Sequence, residues 1–108
     1  MLLTSDWDGG SGSDALLTAT LVRTDDCVYA DTEAGPVEVA WPAGYRATVL
    51  DGSAVVWHDG RAVVREGQTS SAGGGFNPIE GYASSGSPCA ETRELVPFQV
   101  QSEVQVVD

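Results

Sequence analysis

Two Asp-Gly pairs, Asp51-Gly52 and Asp59-Gly60, punctuate a run of apolar residues, and no other feature restricts the fold as much. Asp-Gly between alternating segments is a strong hairpin signal, because a two-residue type I′ turn needs positive φ at both central positions. Two such turns predict a three-stranded meander of Tyr45–Leu50, Ser53–His58 and Arg61–Arg65. Two-residue loops also fix the register, with Leu50 opposite Ser53 and His58 opposite Arg61. One face then carries Leu50, Val55, Trp57, Ala62 and Val64. The other carries Ala47, Val49, Ala54, Val56 and Val63, with His58 and Arg61 at its rim. Both faces are apolar near the middle, which suits a curled sheet or small barrel better than a flat sheet with one wet side.

The rest of the chain reads the same way. Ala15–Arg23, Cys27–Ala30 and Val37–Trp41 are short runs of strand formers, separated by the turn residues Asp31–Pro36 and stopped by Pro42, with Gly44 at a corner. Near the C-terminus Phe98, Val100, Val104 and Val106 alternate with Gln99, Gln101, Glu103 and Gln105, the period of a half-buried strand. No segment shows a helical stripe. The expectation is an all-β domain of six or seven strands, a small antiparallel β-barrel (OB-like or similar), with a compact β-sandwich as the alternative; both hide sheet edges. Residues 1–14, rich in Gly, Ser and Asp, are expected to be a flexible tether, and 15–108 the single barrel-like domain. Gly67 to Pro88 holds six glycines and reads as one long loop. On it, Phe76 and Tyr82 are the expected contacts with a partner.

A chain of 108 residues suits one domain. Sixteen acids face five bases, all arginine, for a net charge of −11. That balance is read as codon use in a GC-rich genome, ahead of salt adaptation or polyanion mimicry. It disfavours nucleic-acid binding, which needs clustered Lys and Arg. No stretch approaches the roughly 18 apolar residues that span a bilayer, so no transmembrane segment is expected. The first residues, Met1-Leu2-Leu3-Thr4-Ser5-Asp6, do not have the pattern of a secretory leader.

Cys27 and Cys89 are the only cysteines, 62 residues apart. They are either two reduced thiols in a cytosolic protein or one disulfide in an exported protein; the expectation adopted is the bridge, which places the domain outside the cytoplasm with its leader absent from this chain. A loop of that length would add about 4 kcal/mol by the chain-entropy argument. No metal site is expected: there is no C-x-x-C and only one histidine. Asp6 to Asp14 begin with the oxygen spacing of a calcium loop. Gly10, Ser11 and Leu17 then stand where such a loop needs an acid or amide, a glycine and a glutamate, so a solvated linker is expected. His58 beside Asp59 lacks a nucleophile elbow. Gly73-Gly74-Gly75 lacks the lysine and helix of a phosphate loop, and reads as a place where the backbone must pack closely or turn. Trp41 and Trp57 are expected in the core. No catalytic residue and no cofactor are assigned.

The order Cys27-x-Tyr29, then Trp41-Pro42-x-Gly44, a hairpin, Gly67, Gly73-Gly74-Gly75 and a late cysteine resembles small extracytoplasmic domains of actinobacterial exported proteins and lipoproteins. The likeness covers about Leu16 to Cys89. It departs at Glu66-Gly67-Gln68 and at Thr69-Ser70-Ser71, where apolar residues are usual. The resemblance implies an extracytoplasmic compartment, a barrel-like fold and a lipid-anchor context; it carries no activity. The expected function is a non-catalytic binding or structural module at the bacterial cell envelope, with an envelope component or a protein as partner. The alternatives are an acidic inhibitor or DNA mimic, and a hydrolase using His58.

Overall fold

The computed structural model describes residues 3–5, 15–24, 27–76 and 97–107. They form eleven strands and no helix: β1 (Leu3–Thr4), β2 (Ala15–Thr24), β3 (Cys27–Thr32), β4 (Gly35–Val37), β5 (Val39–Trp41), β6 (Arg46–Leu50), β7 (Ser53–His58), β8 (Arg61–Arg65), β9 (Thr69–Phe76), β10 (Phe98–Val100) and β11 (Gln105–Val106). Among the described residues no helix is long and apolar enough to cross a membrane.

The larger sheet runs β1-β5-β10-β9-β2-β3-β4, with β11 also on β9. Only Glu38 separates β4 from β5. The chain itself therefore joins the two ends of β5-β10-β9-β2-β3-β4 and bends the sheet into a nearly closed six-stranded barrel. Val37–Trp41 was expected as one strand; it is two, because Val37 pairs with Ala30 while Val39 pairs with Phe98. One pleated run cannot serve both neighbours without a corner, and the buried Glu38 is that corner, its carbonyl accepting the Phe98 N–H at 2.8 Å. The pairings of β5 with β1 and with β10 are parallel, and all others are antiparallel. Leu3–Thr4 lies on β5, so the sheet begins within the segment assigned to a tether; residues 6–14, with the calcium-loop spacing, lie outside the described residues.

A larger correction concerns the glycine-rich stretch. Thr69–Phe76 is no loop but the central strand β9, paired with β2 on one side and with β10 and β11 on the other. Glycine is a poor strand former by propensity, but here its missing side chain is a packing requirement. A Cβ on Gly74 would run into the backbone carbonyl of Gln99, and one on Gly73 would sit 3.2 Å from Ser102 Oγ. Residues 77–88, the remainder of that stretch, lie outside the described residues.

The smaller sheet is the meander β6-β7-β8. Leu50 faces Ser53 and His58 faces Arg61, as the two turns dictate. Both turns have the positive φ pair of type I′, at 51° and 81° for Asp51-Gly52 and 53° and 75° for Asp59-Gly60. The face assignment fails at one point. A bulge follows the Trp57–Ala62 pair, so Val64 lies opposite Val56 and Arg65 opposite Val55. One extra residue reverses every side chain beyond it. Val64 thereby joins Ala54 and Val56 in the cluster shared with the barrel rather than Trp57 and the equally buried Val55 on the opposite face.

These three residues pack with Leu21, Val28, Ala30, Val39, Trp41, Phe98 and Val100 of the barrel in one cluster. A cavity of about 30 Å³ in the barrel has a wall of Leu17, Leu21, Val39 and similar side chains, so among the described residues apolar side chains fill most of the interior. Phe98 and Val100 are buried, and Val104 and Val106 pack against the same core, so the C-terminal alternation holds across two strands. Between them the chain bulges out at 101–104, where Gln101 N–H donates to the Gly73 carbonyl and Gly73 N–H donates to Ser102 Oγ.

Candidate functional site

Trp41 ends β5, and Pro42 stops the strand. The turn that follows, with Gly44 at φ 91°, is closed by the Tyr45 N–H donating to the Pro42 carbonyl at 3.2 Å. It folds Tyr45 back onto Trp41, ring centroids 5.9 Å apart and planes 27° from parallel. On its other face Tyr45 meets His58 at 4.3 Å and 10°. His58 is held there as the last residue of β7, just before the Asp59-Gly60 turn. The result is a three-ring stack. Trp41 roots it in the core, and the His58 side chain, 39% exposed, stands at its outer end.

This stack forms one wall of an open groove. Pro42, Tyr45, His58, Asp59, Arg61, Ser102 and Glu103 line it, so it lies between the 42–45 corner, the β7–β8 turn and the bulge after β10. Burial raises the Tyr45 phenol above its usual pKa, and the carboxylates of Glu103 and then Asp59 add to the rise by repelling a phenolate. Asp59 Oδ2 lies 3.9 Å from His58 Nε2. The serine in the groove is already committed: Ser102 Oγ accepts from Gly73 N–H at 2.7 Å and contacts the Glu103 carbonyl at 3.1 Å. Its hydroxyl locks the bulge in place, and the His58 ring is fixed by stacking. The groove offers the Tyr45 phenol, the half-exposed His58 ring and charged groups of both signs, a surface for holding a ligand.

The structure places the sequence-derived candidates apart. Phe76 is 55% exposed at the end of β9, with its ring edge-on to Phe98 at 5.2 Å, and it does not line the groove. Tyr82 and Cys89 lie outside the described residues. Cys27 opens β3, half-buried, and among the described residues no cysteine is free. Trp41 is in the core as expected, but Trp57 is half-buried outside it. Its Nε1–H donates to Thr48 Oγ1 at 2.8 Å, and the Arg46 guanidinium lies 5.8 Å from its ring centroid. The indole satisfies its one polar atom on the face of the meander opposite the core cluster, which the pleat assigns to Thr48, Val55 and Trp57 together. No group of three or more His, Cys, Asp or Glu side chains among the described residues is placed to hold a metal ion.

Tyr45, Ser102 and Glu103 were not singled out from sequence. Tyr45 had a visible signal, an aromatic directly after a Trp-Pro-x-Gly corner. Ser102 and Glu103 had none, since the bulge that carries them looks like an uninterrupted alternation. Compared with known proteins, the chain matches no family model, no curated protein and no solved structure.

Proposed function

We propose that this protein is a non-catalytic binding module that works outside the cytoplasm, at the bacterial cell envelope, and that it binds through the groove over Tyr45 and His58. The observation that carries this reading is the Trp41–Tyr45–His58 stack, which fixes two rings in the wall of an open groove. Rings held by two separate elements lose little further freedom on contact, so such a surface binds at low entropic cost. The engagement of Ser102 with Gly73 and Glu103 speaks for binding over serine hydrolysis. The exposed ring of Phe76 is a second place of contact in this reading, together with Tyr82.

The compartment rests on a Cys27–Cys89 bridge, which is supported by the lack of a free cysteine among the described residues. Intact mass before and after reduction, with alkylation, tests it. A bridge gives no alkylation until reductant is added; two thiols alkylated at once would remove the compartment assignment. Amide hydrogen exchange with and without bacterial envelope extract tests the groove. Slowed exchange is expected at residues 43–45, 58–61 and 102–104, and unchanged exchange across all three would overturn the reading.

A further inference from the structure

Among the described residues the meander has an open side. β6 is its edge strand, bonded to β7 and, among the described residues, to nothing on the other side. In a hairpin with a two-residue turn the closing pair is hydrogen-bonded and the pattern then alternates. Leu50, Thr48 and Arg46 therefore bond to Ser53, Val55 and Trp57, while the N–H and C=O groups of Ala47 and Val49 point away from β7. Edge strands are ordinarily guarded by charged side chains, proline or a bulge. β6, Arg46-Ala47-Thr48-Val49-Leu50, has a charge only at its first residue and no proline or bulge, and it exposes Val49 (47%) and Leu50 (42%) beside the open edge.

We propose that β6 pairs antiparallel with β6 of a second copy of this chain, about a twofold axis through Thr48. Two features of the strand select a second copy over an unrelated one. The two outward residues lie symmetrically about Thr48, so in this register Ala47 faces Val49 of the second copy and the reverse, and every outward donor and acceptor is matched. The strand also has opposite charges at its two ends, Arg46 before the run and Asp51 after it. Antiparallel pairing sets Arg46 across from Leu50 of the second copy, next to Asp51, and does so twice. A C2 contact of this kind is self-complementary and closed, and it joins the two meanders into a continuous six-stranded sheet. The charge of −11 on each copy opposes the contact at long range, so added salt strengthens the pairing by screening.

Analytical ultracentrifugation from micromolar to millimolar protein, at low and at half-molar NaCl, is the test. A monomer–dimer equilibrium is expected, with dimer formed at lower protein concentration in the higher salt. Amide exchange in the dimer slows at Ala47 and Val49 and nowhere else on β6. Val49→Lys makes the chain less negative and so weakens long-range repulsion, yet it is expected to reduce dimerisation by at least about tenfold, because a lysine guards the edge. Near-UV circular dichroism confirms that the variant is folded. If it is not, Val49→Thr must keep the dimer while Thr48→Lys, which sets two like charges face to face, must lose it. A monomer at every concentration and salt would overturn the proposal and leave the edge to a strand from another protein. A dimer that protects residues other than Ala47 and Val49 would overturn it as well.

Discussion

Arg23 on β2 reaches across the boundary between the two sheets to Glu66, with Nε 3.3 Å from Oε1. The same guanidinium donates through Nη2 to the Gly52 carbonyl at 3.1 Å. Glu66 in turn caps β7: Oε1 accepts the Ala54 N–H at 3.0 Å, while Glu66 N–H donates to the Ala54 carbonyl at 2.8 Å. One carboxylate thus completes the backbone pairing of the meander and ties the meander to the barrel.

The Ala54 N–H holds the Glu66 carboxyl below its usual pKa; burial opposes it, and the hydrogen bond and charge of Arg23 add to the lowering. A depressed carboxyl contributes stability that is fully present above its unfolded pKa, about 4.3, and lost as pH falls through the lower folded value. Urea unfolding of Glu66→Gln is expected to show a lower midpoint than the unmodified protein at neutral pH, with the gap closing on acidification through that window. An unchanged gap down to the acid limit would show that the charge on Glu66 is not what stabilises the fold.

Tyr45 has the opposite sign. Its phenol is raised, so the stability linked to it is present below the unfolded pKa of about 10 and lost as pH rises through the folded value. Ultraviolet absorbance titration should show an ionisation above about 10 that is missing in Tyr45→Phe. Glu103→Gln should bring that ionisation down, since it removes the larger of the two repelling carboxylates.

Tyr45→Ala removes both ring contacts at once. A loss of about 2–3 kcal/mol in unfolding free energy is expected, from truncation of a half-buried aromatic plus the stacking increment. His58→Ala leaves Trp41 and Tyr45 in contact and should lose about 1 kcal/mol. Denaturant titration of the two variants distinguishes these values. Equal losses would mean that the stack is not anchored at the Trp41 end.

Gly74→Ala should cost about 3 kcal/mol or more, because the added methyl meets backbone that cannot swing aside. Gly73→Ala meets the Ser102 side chain instead and should lose clearly less. Thermal unfolding of the pair is the measurement, and the order of the two melting temperatures is the result that matters.

Local turn chemistry made the meander legible: Asp51-Gly52 and Asp59-Gly60 carry their own φ requirement, and the Leu50–Ser53 and His58–Arg61 pairs follow from it. What was hidden is set by contacts distant in sequence. Gly73 to Gly75 look like a loop until Gln99 is brought against Gly74. Glu38 looks like one more polar position in an alternating strand until Val37 and Val39 find different neighbours. The bulge after Trp57 has no residue signature, and it alone moved Val64 to the other face. At the candidate site His58 and Asp59 were visible as a pair. The partner that matters most to His58, Tyr45, reaches it only through the corner at Gly44.

The union of β4 and β5 through Glu38 has a consequence for how the molecule comes to exist. Val39 and Trp41 are made well before the strand that lies beside them, Phe98–Val100. Until then the ring stands open with its greasiest residues uncovered, and long-range pairings of this kind form slowly. A nascent chain stalled before residue 98 would be expected to call on chaperones, whereas one extended a few residues further could shut in a single step.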